Sequence, residues 1–161
     1  MKSEKIRGAF LFILSLALCQ LAGLIGSIFT VPNIKTWYSG LNKPSFTPPN
    51  WIFAPVWTAL YILMGISLFL ILRKGLREKN IREAFMMFMV QLILNAGWSI
   101  VFFGTHSILG GFLVISVLWA SILVTIILFY GISHLASIML LPYLLWVSFA
   151  SVLNFSLFLR N

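Results

Sequence analysis

Three stretches of this chain contain no Asp, Glu, Lys or Arg: 8–34, 44–72 and 84–159. A helix that crosses a bilayer needs about 20 apolar residues, so the first two stretches each predict one spanning helix. The third stretch is 76 residues long. As one helix it would reach about 114 Å, so it must fold back. Gly104-Thr105-His106-Ser107 with Gly110-Gly111 supplies one turn, and Tyr130-Gly131-Ile132-Ser133-His134 another. The pattern therefore predicts an all-α membrane protein, a single domain built as a bundle of five transmembrane helices. They fall at about 8–30, 52–72, 84–103, 108–129 and 134–158, and 31–50 forms the longest connection. The short connections 73–83 and 104–107 predict that helices 2, 3 and 4 are antiparallel neighbours.

Composition narrows the class. Hydrophobic residues make up 61% of the chain, charged residues 9%, and mean hydropathy is +1.05. A soluble domain of this length buries only about two-thirds of its surface, so a soluble enzyme is excluded, as are a disordered chain and a disulfide scaffold. The net charge of +8 does not point to nucleic acid, because no aromatic-rich basic stripe is present to track a phosphate backbone. The bases cluster at the ends of the apolar runs instead. Lys2, Lys5, Arg7, Arg73, Lys74, Arg77, Lys79 and Arg82 fall on one side, and Lys35, Lys43 and Arg160 on the other. The positive-inside rule then predicts a cytoplasmic N-terminus and an external C-terminus. With no transit-like segment visible, a bacterial plasma membrane is the expected location. The first uncharged stretch is 27 residues long, too long for a signal-peptide core, and is read as a retained helix.

The 31–50 connection has unusual chemistry. Pro32, Pro44, Pro48, Pro49 and Pro55 lie in it or just past it, and proline fixes φ and cannot donate a backbone hydrogen bond. One reading is an interfacial aromatic belt of Trp37 and Tyr38. The other is a semi-rigid lid over a cavity, which accounts for the prolines as the belt does not.

Three helices carry aromatic stripes. Helix 3 places Gln91, Asn95, Trp98 and Phe102 within about 60° of one another, and helix 5 places Tyr143, Trp146, Ala150 and Asn154 within about 80°. Helix 2 carries Phe53, Trp57, Tyr61 and Met64 in a similar sector. Each stripe alone reads as packing, with the amides as interhelical hydrogen-bonders. Their depths gather them in the outer half of the bundle, beneath the proline-rich connection. A ring of indoles with one or two amides suits a flat, mostly apolar ligand. The candidate ligand-binding set is Trp37, Tyr38, Pro48, Trp51, Phe53, Trp57, Tyr61, Gln91, Asn95, Trp98, Phe102, Trp146, Ala150 and Asn154. Lys35 and Lys43 at the mouth are candidates to meet ligand carboxylates.

Other residues read as structural. Cys19-Gly23-Ser27 and Ala22-Gly26-Thr30 allow close helix approach, within or between protomers. Pro142 should kink helix 5, and Trp119 reads as a packing or dimer-face residue. A metal site is not expected, because Cys19, His106 and His134 are dispersed. The chain has no Asp and no Glu within a span, which removes carboxylate acid–base chemistry and any hydrolytic triad. No phosphate-cradling glycine motif is present.

Trp37-Tyr38-x-x-Leu41-x-Lys43-Pro44-x-x-x-Pro48-Pro49, then Pro55-Val56-Trp57-Thr58-x-Leu60-Tyr61-x-x-Met64-Gly65, resembles the tryptophan-rich sensory protein family. Its mitochondrial members are called translocator protein or peripheral-type benzodiazepine receptor. Asn95-x-x-Trp98-Ser99-x-x-Phe102-Phe103 and Pro142-Tyr143-Leu144-x-Trp146-x-x-Phe149-Ala150-x-x-Leu153-Asn154 match its third and fifth helices. The resemblance implies a five-helix bundle, often a homodimer. It implies a cavity below the first long connection that binds porphyrins such as protoporphyrin IX, with no cofactor required. It also implies light-dependent porphyrin breakdown in some bacterial members, through tryptophans that match Trp57 and Trp146. The sterol motif of animal members needs a base within about five residues after its Tyr. After Tyr143 the next base is Arg160, so the sterol role is not carried over.

Three functions follow as expectations. The first is a tetrapyrrole-binding sensor or transporter. The second is a photo-oxidative enzyme using Trp57 and Trp146. The third is an interaction protein without a small ligand, assembling through helix 1.

Overall fold

The computed structural model describes residues 2–161, and side chains from Glu4 onward. The Lys2 side chain, one of the bases assigned to the cytoplasmic end, lies outside the described residues. Among the described residues every regular element is helical: α1 (Lys2–Ile34), α2 (Asn50–Leu72), α3 (Lys79–Ser99), α4 (Ile108–Tyr130), α5 (His134–Met139) and α6 (Leu141–Phe158). The last two form one span, so five segments are long and apolar enough to cross a membrane.

Local chemistry explains where the helices stop. The Gly- and Ser-containing turns at 104–107 and 131–133 each end in a serine N-cap. The Ser107 hydroxyl accepts from the Gly110 N–H at 3.0 Å, and Ser133 from Ala136 at 3.4 Å. Helix α1 runs past its expected end, through Pro32 to Ile34. Its last carbonyls find side-chain donors: the Asn33 amide to Phe29 at 2.8 Å and the Thr36 hydroxyl to Pro32 at 3.0 Å. Helix α3 ends at Ser99 and continues as a π-helical turn, Ile100–Gly104, closed by the Thr105 N–H on the Ile100 carbonyl at 3.0 Å. The wider turn admits an extra residue, and both Phe102 and Phe103 are buried. The fifth span breaks at Leu140, and Pro142 sits in the first turn of α6, where its missing N–H costs least.

The order around the bundle departs from expectation. Helices α3 and α4 pack together, but α2 packs mainly on α1, which is also in contact with α3; α4 and α2 both reach α5, and α4 packs on α6. The short 73–78 connection constrains only the helix ends, leaving room for α1 to wedge beside α2. Gly65 permits this approach, because a Cβ there would lie 2.9 Å from the Leu16 Cα. Trp119 turns inward, its indole N–H donating to the Ser148 hydroxyl at 2.8 Å. It joins α4 to α6 and is a packing residue of the bundle.

The half of the bundle nearest the α1 start has a densely packed core. Met64, Leu68, Phe88, Ile122 and Phe129 are fully buried, and the Phe88 and Phe129 rings stack at 5.7 Å. The outer flank is apolar, with Ile28, Ile93 and Leu145 all more than half exposed. Such a surface faces acyl chains in a bilayer, while the helices satisfy the backbone internally.

Candidate functional site: an uncharged aromatic cavity

In the other half the helices enclose a cavity of about 300 Å³. Its walls come from the second half of α1, the start of α2, the end of α3 with the π turn, and the end of α6, and Tyr38 joins from the connection. Among the described residues, none that lines it is charged.

The floor is a buried polar chain. The Tyr61 hydroxyl donates to the Asn95 side-chain oxygen at 2.5 Å, and the Asn95 amide donates to the Tyr143 hydroxyl at 3.0 Å. One amide thus ties α2, α3 and α6 together. Trp57 stacks on Tyr61 at 5.6 Å and meets Tyr143 edge-on at 6.3 Å. On α3 and the π turn, Trp98 stacks on Phe102 at 5.3 Å, and Phe103 meets both edge-on. Two polar groups in the wall are buried without a hydrogen-bond partner among the described residues: the whole amide of Asn154 and the indole N–H of Trp98. A buried unpaired group costs about 1–3 kcal/mol. Both residues line the cavity, and these polar atoms are buried within its wall.

Of the residues expected from sequence, the cavity gathers Tyr38, Phe53, Trp57, Tyr61, Asn95, Trp98, Phe102, Ala150 and Asn154. The others fall elsewhere. Trp51 is 73% exposed; it lies about 240° around α2 from Trp57 and points outward. Gln91 is buried one turn below Asn95, outside the lining, with its amide unpartnered. Trp146 is not among the lining residues; its ring meets that of Phe53, which is, at 5.9 Å. Trp37 lies behind the wall, edge-on to Phe102 and stacked on the His106 ring at 4.7 Å. Pro48 is half-buried in the connection, and Lys35 is exposed beyond the end of α1. Lys43 caps the outside of the wall: its ammonium lies 4.8 Å above the Tyr38 ring and donates to the Ser39 carbonyl at 3.1 Å. Burial pushes the Tyr38 phenol above its usual range, so it stays neutral.

Sequence reasoning missed α1. Gln20, Gly23, Gly26, Ser27 and Thr30 all line the cavity. Their signal is the pair of small-residue stripes, which mark close helix approach and give no sign of a cavity. The stripes serve contacts inside the protomer. A Cβ on Gly23 would run into the Tyr61 ring, and one on Gly26 would lie 2.9 Å from the Ser99 hydroxyl. The exposed lining residues all belong to α1 and α2: Leu24 and Val31 on one, Asn50, Ala54 and Thr58 on the other. The cavity therefore meets the molecular surface along that seam.

The 35–49 connection lies across this end of the bundle. Asn42 and Asn161 exchange hydrogen bonds, backbone N–H to side-chain oxygen at 2.9 Å and amide back to carbonyl at 3.2 Å. Phe46 meets Phe149 edge-on at 6.4 Å. The His106 ring nitrogen bonds the Asn33 oxygen at 2.9 Å, beneath Trp37.

Fold and site together define a multi-pass integral membrane protein whose spans surround an aromatic, charge-free cavity. The TspO/MBR family model matches residues 15–160. Tryptophan-rich protein TspO of Chlorobaculum tepidum is 44% identical over 148 residues, covering 92% of this chain and 94% of that one. Tryptophan-rich protein TspO of Archaeoglobus fulgidus is 46% identical over 139 residues, 86% and 89% of the two chains. The human translocator protein is 34% identical over 146 residues, 88% and 85%. The chain belongs to the TspO/MBR family.

Proposed function

We propose that this protein binds a tetrapyrrole such as protoporphyrin IX in the cavity between α1, α2, α3 and α6, as a sensor or transporter. The observation that carries the reading is the wall itself: aromatic rings on α2, α3 and the π turn, and, among the described residues, no charged lining residue and no partner for the buried amide of Asn154. Flat conjugated faces match Trp57 and Trp98, and pyrrole nitrogens match an amide that both donates and accepts. A cavity of about 300 Å³ is at the small end of ligand pockets. The macrocycle therefore enters edge-first, and its propionates remain at the α1–α2 seam. We further propose a homodimer in a bacterial plasma membrane, with the α1 start and the 73–78 connection cytoplasmic. The test is a titration of purified protein with protoporphyrin IX in the dark. Saturable quenching of tryptophan fluorescence at one ligand per chain supports binding; linear, unsaturable quenching contradicts it.

A second reading rests on Trp57, an oxidisable indole in the cavity wall. Under light and dioxygen, a porphyrin held against it is converted to an oxidised product. Trp57→Phe should abolish product formation, while bleaching at the protein-free rate removes this reading. Trp146 stands behind Phe53, so Trp146→Phe should have the weaker effect.

A further inference from the structure

At the base-rich end of the bundle, away from the cavity, the first turns of α1 and the last turn of α2 border a groove of about 460 Å³. It is lined by Glu4, Arg7, Gly8, Leu11, Phe69 and Arg73. Its floor is apolar: Phe69 is met edge-on by Phe12 at 5.3 Å, and Leu11 lies one turn beyond Arg7. Its mouth is cationic. The Arg73 guanidinium lies 5.8 Å from the Phe69 ring centroid, and Arg7 stands on the facing helix. Among the described residues no ion pair joins either arginine to a carboxylate. Glu4, the one acid on the rim, is engaged in an interaction of its own. A Cβ at Gly8 would meet nothing within 4 Å, so the groove is open at that position.

We propose that this groove binds the phosphate of an anionic phospholipid, with Arg7 and Arg73 as the two phosphate ligands. Guanidinium forks are suited to phosphate oxygens, which they engage with paired N–H groups. Depth favours a lipid over a soluble anion. Arg7 directly precedes the uncharged 8–34 stretch and Arg73 directly follows 44–72, so both sit at the headgroup level, where basic pockets between spanning helices hold anionic lipids. The apolar floor continues from the charges toward the bilayer core and offers a track for an acyl chain. The surrounding charge selects a net-negative headgroup. Lys5, Lys74, Arg77, Lys79 and Arg82 outnumber Glu78 and Glu83 at this end, and they oppose the ammonium of a zwitterionic lipid.

The experiment is native mass spectrometry of the full chain in neutral detergent. The probes are phosphatidylglycerol and phosphatidylcholine of identical acyl chains, with inorganic phosphate as competitor. One phosphatidylglycerol per chain should be retained about tenfold more tightly than phosphatidylcholine, and millimolar inorganic phosphate should not displace it. The exposed double variant Arg7→Gln/Arg73→Gln should reduce retention to the phosphatidylcholine level. Gly8→Leu, which fills the groove with both charges intact, should do the same. Equal retention of the two lipids, unchanged retention in the double variant, or displacement by inorganic phosphate overturns the proposal. The porphyrin titration of these variants should match wild type, which separates this site from the cavity.

Discussion

Asn154 carries an amide whose two polar atoms are buried in the cavity wall without a partner among the described residues, whereas the Asn95 amide is spent on two hydroxyls. The two residues should respond oppositely to the same change. Asn154→Leu removes an unsatisfied group and should leave stability unchanged or raise it by about 1 kcal/mol, while weakening porphyrin binding. Asn95→Leu orphans the Tyr61 and Tyr143 hydroxyls and should cost about 2–4 kcal/mol. Thermal melts of both variants in detergent check the pair. Most cavity residues on α2, α3 and α6 were legible in the sequence, because a 3.6-residue period fixes which side chains share a face. The period does not fix which stripes meet: Trp146 shares a helix face with Ala150 and Asn154, yet it contacts Phe53 and is not among the lining residues. Small residues on α1 were ambiguous for a related reason. A glycine marks a close approach but not the partner. Gly23→Leu tests the partner found here: by displacing Tyr61 it should destabilise by about 1–3 kcal/mol, with loss of ligand binding.

Elements end where their turn chemistry dictates, and the turns before α4 and α5 were visible as Gly and Ser clusters. The π turn after α3 was not visible, because it follows from packing: Phe102 and Phe103 are both drawn inward against Trp37 and Trp98. The connection just beyond it contains His106, a non-glycine residue at φ 56°. Left-handed backbone costs a side-chain-bearing residue about 1–2 kcal/mol. The cost is met by the ring's stack on Trp37 and its bond to Asn33. Both His106→Gly and His106→Ala lose the ring, so their difference isolates the backbone. The glycine variant should melt as the more stable by about 1 kcal/mol. Equal melting temperatures would contradict the assignment.

At the scale of the whole molecule, composition alone established a membrane bundle, and the five spans follow from the uncharged runs. The order of helices around the bundle did not follow, since loop length constrains ends and not faces. Orientation is testable from the charge asymmetry. With Cys19 replaced by Ser, a cysteine at position 76 should resist a membrane-impermeant maleimide in intact cells, and one at position 161 should react. The reverse pattern would invert the proposed topology. The central claim is that the aromatic cavity, and no other tryptophan-bearing surface, holds the porphyrin. The most direct measurement is the dark titration with protoporphyrin IX repeated on two variants: Trp57→Ala/Asn154→Leu, both in the wall, and Trp51→Ala, 73% exposed outside it. The wall variant should bind at least about tenfold more weakly, a loss of about 1.4 kcal/mol or more, and Trp51→Ala should keep wild-type affinity. Equal affinity in the wall variant and the wild type would contradict it.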